Sequence, residues 1–258
     1  MDYQDLVKRF SLEGQTAVIT GAGRGIGRGL AMALAKAGAN IVVVDIIEEN
    51  AKNTAALLVS KTGIKAYPYV ADLRNPHRVK EYVKDILGEC GKIDIVINNA
   101  GIQVRKPALE FTLEEWNSVL DIHLTASFAM AQAVVPGMIK QGGGKIINIA
   151  SVLSFQGGSN VAYAVSKHGV VGLTKALAYN WAGKGINVNA IAPGWFATEF
   201  NAALRKDTAR YESITKRTPA GRWGAPKDIA GAVVFLASSA SDFVNGEILL
   251  VDGGWMTG

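Results

Sequence analysis

TGAGRGIG, residues 20–27, is the stretch of this sequence that decides the fold. It follows an apolar run, TAVIT (16–20), and precedes a helical pattern, LAMALAKAG (30–38). Glycines let a backbone turn sharply and approach a pyrophosphate, and a helix N-terminus offers free N–H groups and a positive dipole end. A glycine-rich loop between a strand and a helix therefore predicts dinucleotide binding, through Gly21, Arg24, Gly25, Ile26 and Gly27.

The same alternation of strand and helix patterns continues along the chain. Val/Ile-rich runs predict further strands at 40–45, 65–72, 92–101, 145–151, 186–194 and 247–254, and helical patterns lie between most of them, at 48–61, 76–90, 113–140, 161–183 and 226–240. Continuous apolar runs are typical of strands covered on both faces. The sequence thus predicts an α/β fold, a single doubly wound Rossmann-type domain over residues 1–258 with a mostly parallel seven-stranded sheet.

The composition favours a globular enzyme over several other classes. The chain has 258 residues, of which 49% are hydrophobic and 19% charged, which excludes a collagen-like or disordered chain. A single cysteine, Cys90, forms no internal disulfide, and we interpret it as a bystander. The net charge of +5 is dispersed without a run of basic residues, so nucleic-acid binding is not expected.

The N-terminus mixes acidic and basic residues and lacks the apolar run of a signal peptide. No stretch of 18 uncharged apolar residues occurs, so no membrane partner is expected and the predicted location is cytoplasmic. The three histidines lie far apart without ligand spacing, so no metal site is predicted. Residues 195–225 break the alternation after a strand, where ligands bind in such sheets, and we interpret them as a substrate lid.

Asp45 ends the second predicted strand, 18 residues beyond Gly27. A carboxylate there accepts hydrogen bonds from the adenosine ribose and repels a 2′-phosphate, which favours NAD over NADP. Arg24 favours the opposite choice, because a cation in the loop could pair with a 2′-phosphate. We give Asp45 the greater weight and predict NAD, with NADP as the alternative.

Ser151, Tyr163 and Lys167 form the predicted catalytic group. Tyr163 and Lys167 are four residues apart on a predicted helix and so share one face, while Ser151 follows a predicted strand. A tyrosine with its usual pKa near 10 is a poor acid–base group at neutral pH, but a nearby ammonium lowers that pKa. A serine hydroxyl at the same edge of the sheet can hold the substrate oxygen.

These motifs together resemble the short-chain dehydrogenase/reductase family, over essentially residues 10–258. The matching features are the glycine loop, NNAG (98–101), Ser151, Tyr163-x-x-x-Lys167, and Pro193-Gly194 followed by Thr198. The resemblance implies hydride transfer between a nicotinamide and a carbonyl or alcohol, with Tyr163 as proton donor or acceptor. It also implies that Lys167 binds the nicotinamide ribose, and it assigns further cofactor contacts to Asp72, Leu73, Asn99 and Thr198.

His123 departs from the family pattern, which usually has an asparagine at this position in a water-mediated proton relay. A histidine could bond the relay water through its side chain or its backbone carbonyl, and its side chain would add a titration near neutral pH. The alternative is that only the backbone carbonyl is needed and the side chain packs. We include His123 among the catalytic candidates.

Three stretches resemble the sugar-acid members of the family: SVLSFQGG (151–158), PAGRWGAP (219–226) and VNGEILLVDGGW (244–255). The predicted substrate is therefore gluconate or 2-dehydro-3-deoxy-D-gluconate, with reaction at C5. Arg105 is the candidate carboxylate ligand, and the same polar loops also offer Gln103, Ser154, Gln156 and Asn160. Trp195 is expected to line the substrate side.

Other functions stay open at this stage. A neutral polyol or sugar dehydrogenase and a 3-oxoacyl-thioester reductase are the enzyme alternatives, and a dinucleotide-binding sensor is the alternative that is not an enzyme. Apolar residues around two long helices predict a subunit interface, and the family resemblance implies a homotetramer. These residues are Phe128, Met130, Val134, Val135, Leu173, Leu177 and Trp181.

Overall fold

The computed structural model describes residues 2–258, in which seven strands form one sheet in the order β3-β2-β1-β4-β5-β6-β7. Every neighbouring pair is parallel. The expected α/β architecture is confirmed, and the sheet is entirely rather than mostly parallel. The strands are β1 (Thr16–Thr20), β2 (Asn40–Asp45), β3 (Ala66–Val70), β4 (Ile95–Asn98), β5 (Gly144–Ile149), β6 (Ile186–Pro193) and β7 (Ile248–Val251).

Ten α-helices accompany the strands within the described residues 2–258. The helical pattern at 113–140 contains a π-helical turn, Asp121–Thr125, which the sequence did not predict. The short N-terminal helix α1 was also missed. The helices are α1 (Tyr3–Lys8), α2 (Gly25–Lys36), α3 (Glu48–Thr62), α4 (Val79–Cys90), α5 (Leu113–Leu120), α6 (Ala126–Lys140), α7 (Val161–Trp181), α8 (Ala202–Lys206), α9 (Thr208–Arg217) and α10 (Ala230–Ala237).

The central strand β1 is buried along its whole length because helices cover both faces of the sheet. Ile19 points into a cluster that includes Leu30 of α2 and Val233 of α10. Its neighbour Val18 points to the opposite face, into a cluster with Val83 of α4. Successive residues of a strand alternate between faces, so an all-apolar strand is what a doubly covered sheet requires.

The long apolar helical segment Leu113–Lys140 is explained mainly by this core. The segment is long and apolar enough to cross a membrane, but a helix buried in the core of a sheet protein can have the same length and composition. Met130, Val134 and Val135 of α6, together with Leu177 of α7, are buried against the sheet. Our assignment of these four residues to a subunit interface is therefore wrong, because the chain covers them itself.

Residues 195–225 fold back on their own starting point. The N–H of Gly224 donates to the carbonyl oxygen of Trp195 at 2.8 Å, and the N–H of Ala197 donates to Gly224 at 2.8 Å. Helices α8 and α9 lie between these two ends. Aromatic rings fill the base, with centroids of Trp195 and Trp223 5.6 Å apart and Tyr211 stacked on Trp223 at 5.2 Å. The segment is thus anchored at both ends beside the carboxyl ends of the strands.

Candidate active site

A cavity of about 400 Å³ opens at the carboxyl ends of the strands, where the order of the strands reverses between β1 and β4. This position is the topological switch point at which doubly wound sheets bind ligands. All predicted cofactor residues line the cavity: Gly21, Arg24, Gly25, Ile26, Gly27, Asp45, Asp72, Leu73, Asn99, Tyr163, Lys167 and Thr198.

The glycine loop forms a cradle that only glycine allows. Gly21 has a φ of +64°, which L side chains rarely adopt. A Cβ on Gly27 would lie 2.1 Å from the carbonyl oxygen of Gly21, so no other residue fits there. No side chain caps the start of α2, because Arg24 at the N-cap makes no capping bond. The loop and the uncapped helix N-terminus therefore fit the pyrophosphate of a dinucleotide.

Asp45 closes the adenosine end of this cradle. Its two carboxylate oxygens accept the N–H groups of Gly23 at 2.9 Å and of Ile47 at 3.1 Å. Asp45 is 9% exposed, and the exposed Arg24 lines the same cavity. Asp72 forms part of the same wall and is paired with Arg74 at 2.6 Å. Charges of both signs therefore line the part of the cavity where we expect the adenosine.

Asn99 lines the cavity but has a structural task as well. Its amide donates to the carbonyl oxygens of Thr20 at 2.8 Å and Gly21 at 3.1 Å. The Thr20 hydroxyl in turn accepts the N–H groups of Asn99 at 2.9 Å and Ala100 at 3.0 Å. These bonds join the ends of β1 and β4, so Asn99 holds the glycine loop in place.

Ser151, Tyr163 and Lys167 come together at the inner end of the cavity. Ser151 follows β5, and the other two lie on adjacent turns of α7. All three are buried. The Lys167 ammonium donates to the carbonyl oxygen of Ile149 at 2.6 Å and lies 5.5 Å from the centre of the Tyr163 ring. The Ser151 side chain acts to lower the pKa of the Tyr163 hydroxyl.

Burial shifts the pKa values of the two titratable groups in opposite directions. Burial raises the pKa of Tyr163 to about 12, although the Ser151 side chain and the Arg105 charge act against this rise. Burial also lowers the pKa of Lys167 to about 7. At neutral pH the phenol therefore holds its proton, and any further positive charge in the cavity would favour the phenolate.

His123 lies in the π-helical turn between α5 and α6, and its side chain is fully buried. Its Nε2 lies 2.8 Å from the carbonyl oxygen of Ile102 and 3.2 Å from the N–H of the same residue, so it donates to the first in one tautomer and accepts from the second in the other. Nδ1 has no hydrogen-bond partner among residues 2–258. The ring meets Tyr163 edge-on with centroids 5.2 Å apart. Burial, assisted by the Lys167 charge, holds the pKa of His123 well below its usual 6.5. The suggested titration near neutral pH is therefore wrong.

Of the substrate candidates, the structure places Trp195 in the cavity wall and Arg105 just outside it. Trp195 is a lining residue, whereas Arg105 is not and meets the cavity through two residues that are. The guanidinium of Arg105 donates to Gln103 at 2.8 Å and contacts Asn201 at 3.5 Å. Burial lowers the pKa of Arg105, and the nearby charge of Arg210 on α9 lowers it further.

Three polar candidates of the 154–160 loop are not placed at the cavity. Gln156 is not among the lining residues. The Ser154 hydroxyl turns inward and donates to the carbonyl oxygen of Lys167 at 2.8 Å. Asn160 caps α7 by accepting the N–H of Tyr163 at 3.3 Å. Ser154 and Asn160 thus direct these groups to α7 rather than to the substrate, and the assignment of Gln156 to the substrate stays a prediction.

Sequence reasoning missed several cavity residues that follow Thr198. Glu199, Phe200 and Asn201 line the entrance, and the Phe200 ring lies 6.2 Å from that of Tyr163. Arg210, whose charge acts on Arg105 from outside the cavity lining, was missed as well. All four residues lie in the insertion after β6, and that position was the one sequence feature that could have indicated them. Within residues 2–258, no group of three His, Cys, Asp or Glu side chains is placed to hold a metal ion.

Comparison with known proteins gives consistent matches over the whole chain. The family profile described as enoyl-(acyl carrier protein) reductase, a short-chain dehydrogenase profile, matches residues 21–256. The chain is 48% identical over 255 residues to 2-dehydro-3-deoxy-D-gluconate 5-dehydrogenase of Escherichia coli, which covers 97% of this chain and 99% of the relative. It is 49% identical over 249 residues to the Bacillus subtilis enzyme of the same name, covering 96% and 97%.

A solved structure shares the fold over nearly the whole chain. The gluconate 5-dehydrogenase of Burkholderia cenocepacia, in complex with NADP and tartrate, is 45% identical and superposes with a TM-score of 0.93. The match covers 98% of this chain and 99% of that chain. A relative with NADP bound argues against treating Asp45 alone as decisive for the cofactor.

Proposed function

Because this chain belongs to the short-chain dehydrogenase/reductase family and is an oxidoreductase, we propose that it interconverts a ketone and an alcohol at C5 of a sugar acid. Gluconate and 2-dehydro-3-deoxy-D-gluconate are the proposed alcohol substrates. The observation that carries the proposal is the meeting of Ser151, Tyr163 and Lys167 in one cavity, beside which Arg105 contacts the lining residues Gln103 and Asn201. The names of the relatives support the same substrate class.

The catalytic roles follow from the contacts of the three side chains. Ser151 and Tyr163 line the same cavity, so both hydroxyls can hold one substrate oxygen. In the direction of oxidation Tyr163 takes the hydroxyl proton as the phenolate, and in the direction of reduction the phenol gives its proton to the carbonyl oxygen. Lys167 holds its ammonium near the phenol and lowers the cost of the phenolate. When bound, a nicotinamide dinucleotide would supply the hydride chemistry.

His123 acts in this proposal as a neutral positioning group. Its Nε2 bonds the backbone of Ile102, at the start of the loop that carries Gln103 and Arg105. Its ring edge packs against Tyr163. The buried Nδ1 offers a place for a relay water near the catalytic group.

Arg105 is the proposed ligand for the substrate carboxylate, and Arg210 lies close enough to support it. Within the described residues 2–258 neither guanidinium forms an ion pair with an acidic side chain. Two cations without acidic partners repel each other, and a carboxylate between them would relieve that repulsion. This arrangement favours a sugar acid over a neutral polyol or an acyl thioester. We propose that residues 195–225, which carry Arg210, act as the lid.

For the cofactor we propose a nicotinamide dinucleotide, with NADP favoured by three relatives of 45–47% identity whose structures hold NADP and NAD favoured by Asp45. Asp45 supports NAD because its buried carboxylate stands at the end of β2. Arg24 and the relative with bound NADP support use of the phosphorylated form. The alternative of a dinucleotide sensor gains no support, since a sensor has no need for the three catalytic side chains.

We further propose a cytoplasmic homotetramer. Phe128 of α6 and Val165 of α7 are each more than 40% exposed, as are Leu113 and Phe243. Exposed apolar side chains on neighbouring helices favour self-association. Analytical ultracentrifugation of the wild type and of Phe128→Glu tests this proposal, and a wild type that is monomeric at micromolar concentration would contradict it.

Wild-type turnover with defined substrates tests the proposed function. NADH and NADPH oxidation is followed with 5-keto-gluconate and its 3-deoxy-2,5-diketo analogue, and with neutral ketoses and acetoacetyl thioesters as controls. The proposal expects rapid turnover of at least one acid. Turnover of a neutral ketose or a thioester alone would assign the enzyme to one of the two alternatives.

A further inference from the structure

Ser154 is a buried serine that belongs to neither the cavity wall nor the exposed loop. It lies in the short turn Val152–Ser154, one turn after Ser151, and is only 4% exposed. Its hydroxyl accepts the N–H of Ser151 at 3.3 Å and donates to the carbonyl oxygen of Lys167 at 2.8 Å. One side chain thus joins the backbones of two catalytic residues.

We propose that Ser154 is a positioning residue that fixes the turn carrying Ser151 against the helix carrying Tyr163 and Lys167. The proposal rests on the function proposed above, because it assigns Ser154 a task in that reaction. Ser154 does not line the cavity, and it acts through its two backbone partners.

The contacts of Lys167 show why this bond matters. At one end Lys167 is held through its carbonyl oxygen by Ser154, and at the other its ammonium donates to Ile149 at 2.6 Å. Both attachments lead to the same segment, residues 149–154, which also carries Ser151. The segment and the helix are therefore locked in register at two points, one at the backbone and one at the ammonium.

Removal of the Ser154 hydroxyl would release the first of these points. The buried N–H of Ser151 would lose its acceptor, which favours a shift of the turn towards another partner. Catalysis depends on the distance between reacting groups, and a displacement of about 1 Å costs on the order of a hundredfold in rate. The Ser151 side chain also acts to lower the pKa of Tyr163, so a displacement of Ser151 would make the phenolate harder to form.

The test compares Ser154→Ala with Ser166→Ala in steady-state kinetics of alcohol oxidation across pH. Ser166 is a matched control because it is fully buried on α7, the helix that carries Tyr163 and Lys167. Its hydroxyl also donates to a backbone carbonyl, that of Tyr163 at 2.7 Å. It makes no bond to the turn. For Ser154→Ala we expect kcat to fall about tenfold to a hundredfold. The KM for the dinucleotide should change less than about twofold, because the glycine loop and Asp45 are untouched.

The pH profile separates positioning from a general loss of packing. The acidic limb of the oxidation profile should move to higher pH in Ser154→Ala, since the base form of Tyr163 becomes less stable, and should stay in place in Ser166→Ala. An unmoved limb in Ser154→Ala, or equal effects in both variants, would overturn the proposal. If Ser154→Ala does not fold, Ser154→Cys keeps the shape with a weak donor and carries the same test.

Hydrogen exchange of the peptide spanning residues 149–155 gives a readout that needs no turnover. We expect faster exchange in Ser154→Ala than in the wild type or Ser166→Ala, because the Ser151 N–H has lost its acceptor. Equal exchange in all three proteins would refute the role of Ser154. A wild type that turns over no sugar acid, with the expected exchange difference, would instead refute the proposed substrate.

Discussion

Replacing Asp45 by asparagine should shift the enzyme towards NADPH. The carboxylate is 9% exposed and is bound to two backbone N–H groups at the adenosine end of the cavity. At about 5 Å and an effective dielectric constant of about 20, one unit of negative charge opposes another by about 3 kcal/mol. That repulsion corresponds to roughly a hundredfold in kcat/KM, and screening at the open entrance reduces it to about tenfold.

The assay is the ratio of kcat/KM for NADPH to that for NADH with one sugar-acid ketone. Asp45→Asn should raise this ratio about tenfold or more, and Arg24→Ala should lower it by about tenfold, since a hydrogen bond to a charged group contributes about 1.5–3 kcal/mol. Glu199→Gln is the control. Its carboxylate also lines the cavity but stands beside Gly25, next to the loop for the pyrophosphate common to both dinucleotides. Its ratio should stay at the wild-type value.

An unchanged ratio in Asp45→Asn would refute this reasoning, because the carboxylate would then lie outside the reach of a 2′-phosphate. A fall in the ratio for Asp45→Asn would be a stronger contradiction. A rise of equal size in Glu199→Gln would show that net charge around the cavity, rather than the position of Asp45, decides the preference.

Three further changes test the site. Lys167→Met should abolish turnover yet stabilise the cofactor-free protein against chemical denaturation by about 3 kcal/mol at pH 7. The pKa of Lys167 is about 7 in the folded protein and 10.5 in the unfolded chain. The free energy of unfolding of the wild type therefore rises with pH between these two values, and that of the variant should not. Equal stability at pH 7 would contradict the buried ammonium. Arg105→Ala should raise the KM for a sugar acid about tenfold while leaving that for a neutral polyol unchanged, and equal effects on both would remove the carboxylate role. His123→Asn should show the same ionisations as the wild type in its pH profile of kcat/KM between pH 5 and 8, because burial keeps the pKa of His123 well below 6.5. The disappearance of an ionisation in that range would show that His123 titrates during catalysis.

Much of the site could be predicted because its motifs are local. The glycine loop, the acid after β2 and the Tyr163–Lys167 pair each depend on spacing within one element or one connection, and periodicity gives that spacing directly. The parallel sheet then brings the elements together, because the carboxyl ends of its strands meet at one edge. The resemblance to a known family added the roles of these residues.

The direction of loop side chains could not be predicted in the same way. Ser154 and Asn160 are polar residues in a loop beside the site, and nothing local decides whether they face the cavity or the helix. Their hydrogen-bond partners, Lys167 and Tyr163, lie on another element. Likewise Met130 is apolar whether it packs in a core or at an interface, and only the tertiary contacts with the sheet decide the outcome.

The most direct measurement is the fate of the hydride when the wild type and Tyr163→Phe are given 5-keto-gluconate with NADH that carries deuterium at C4 of its nicotinamide. NMR of the product identifies the labelled carbon. The wild type should yield the C5 alcohol with deuterium at C5, and Tyr163→Phe, which keeps the ring but lacks the hydroxyl, should yield none in the same time. Deuterium at another carbon, or full turnover by Tyr163→Phe, would contradict the assignment of this cavity to proton and hydride transfer at C5 of a sugar acid.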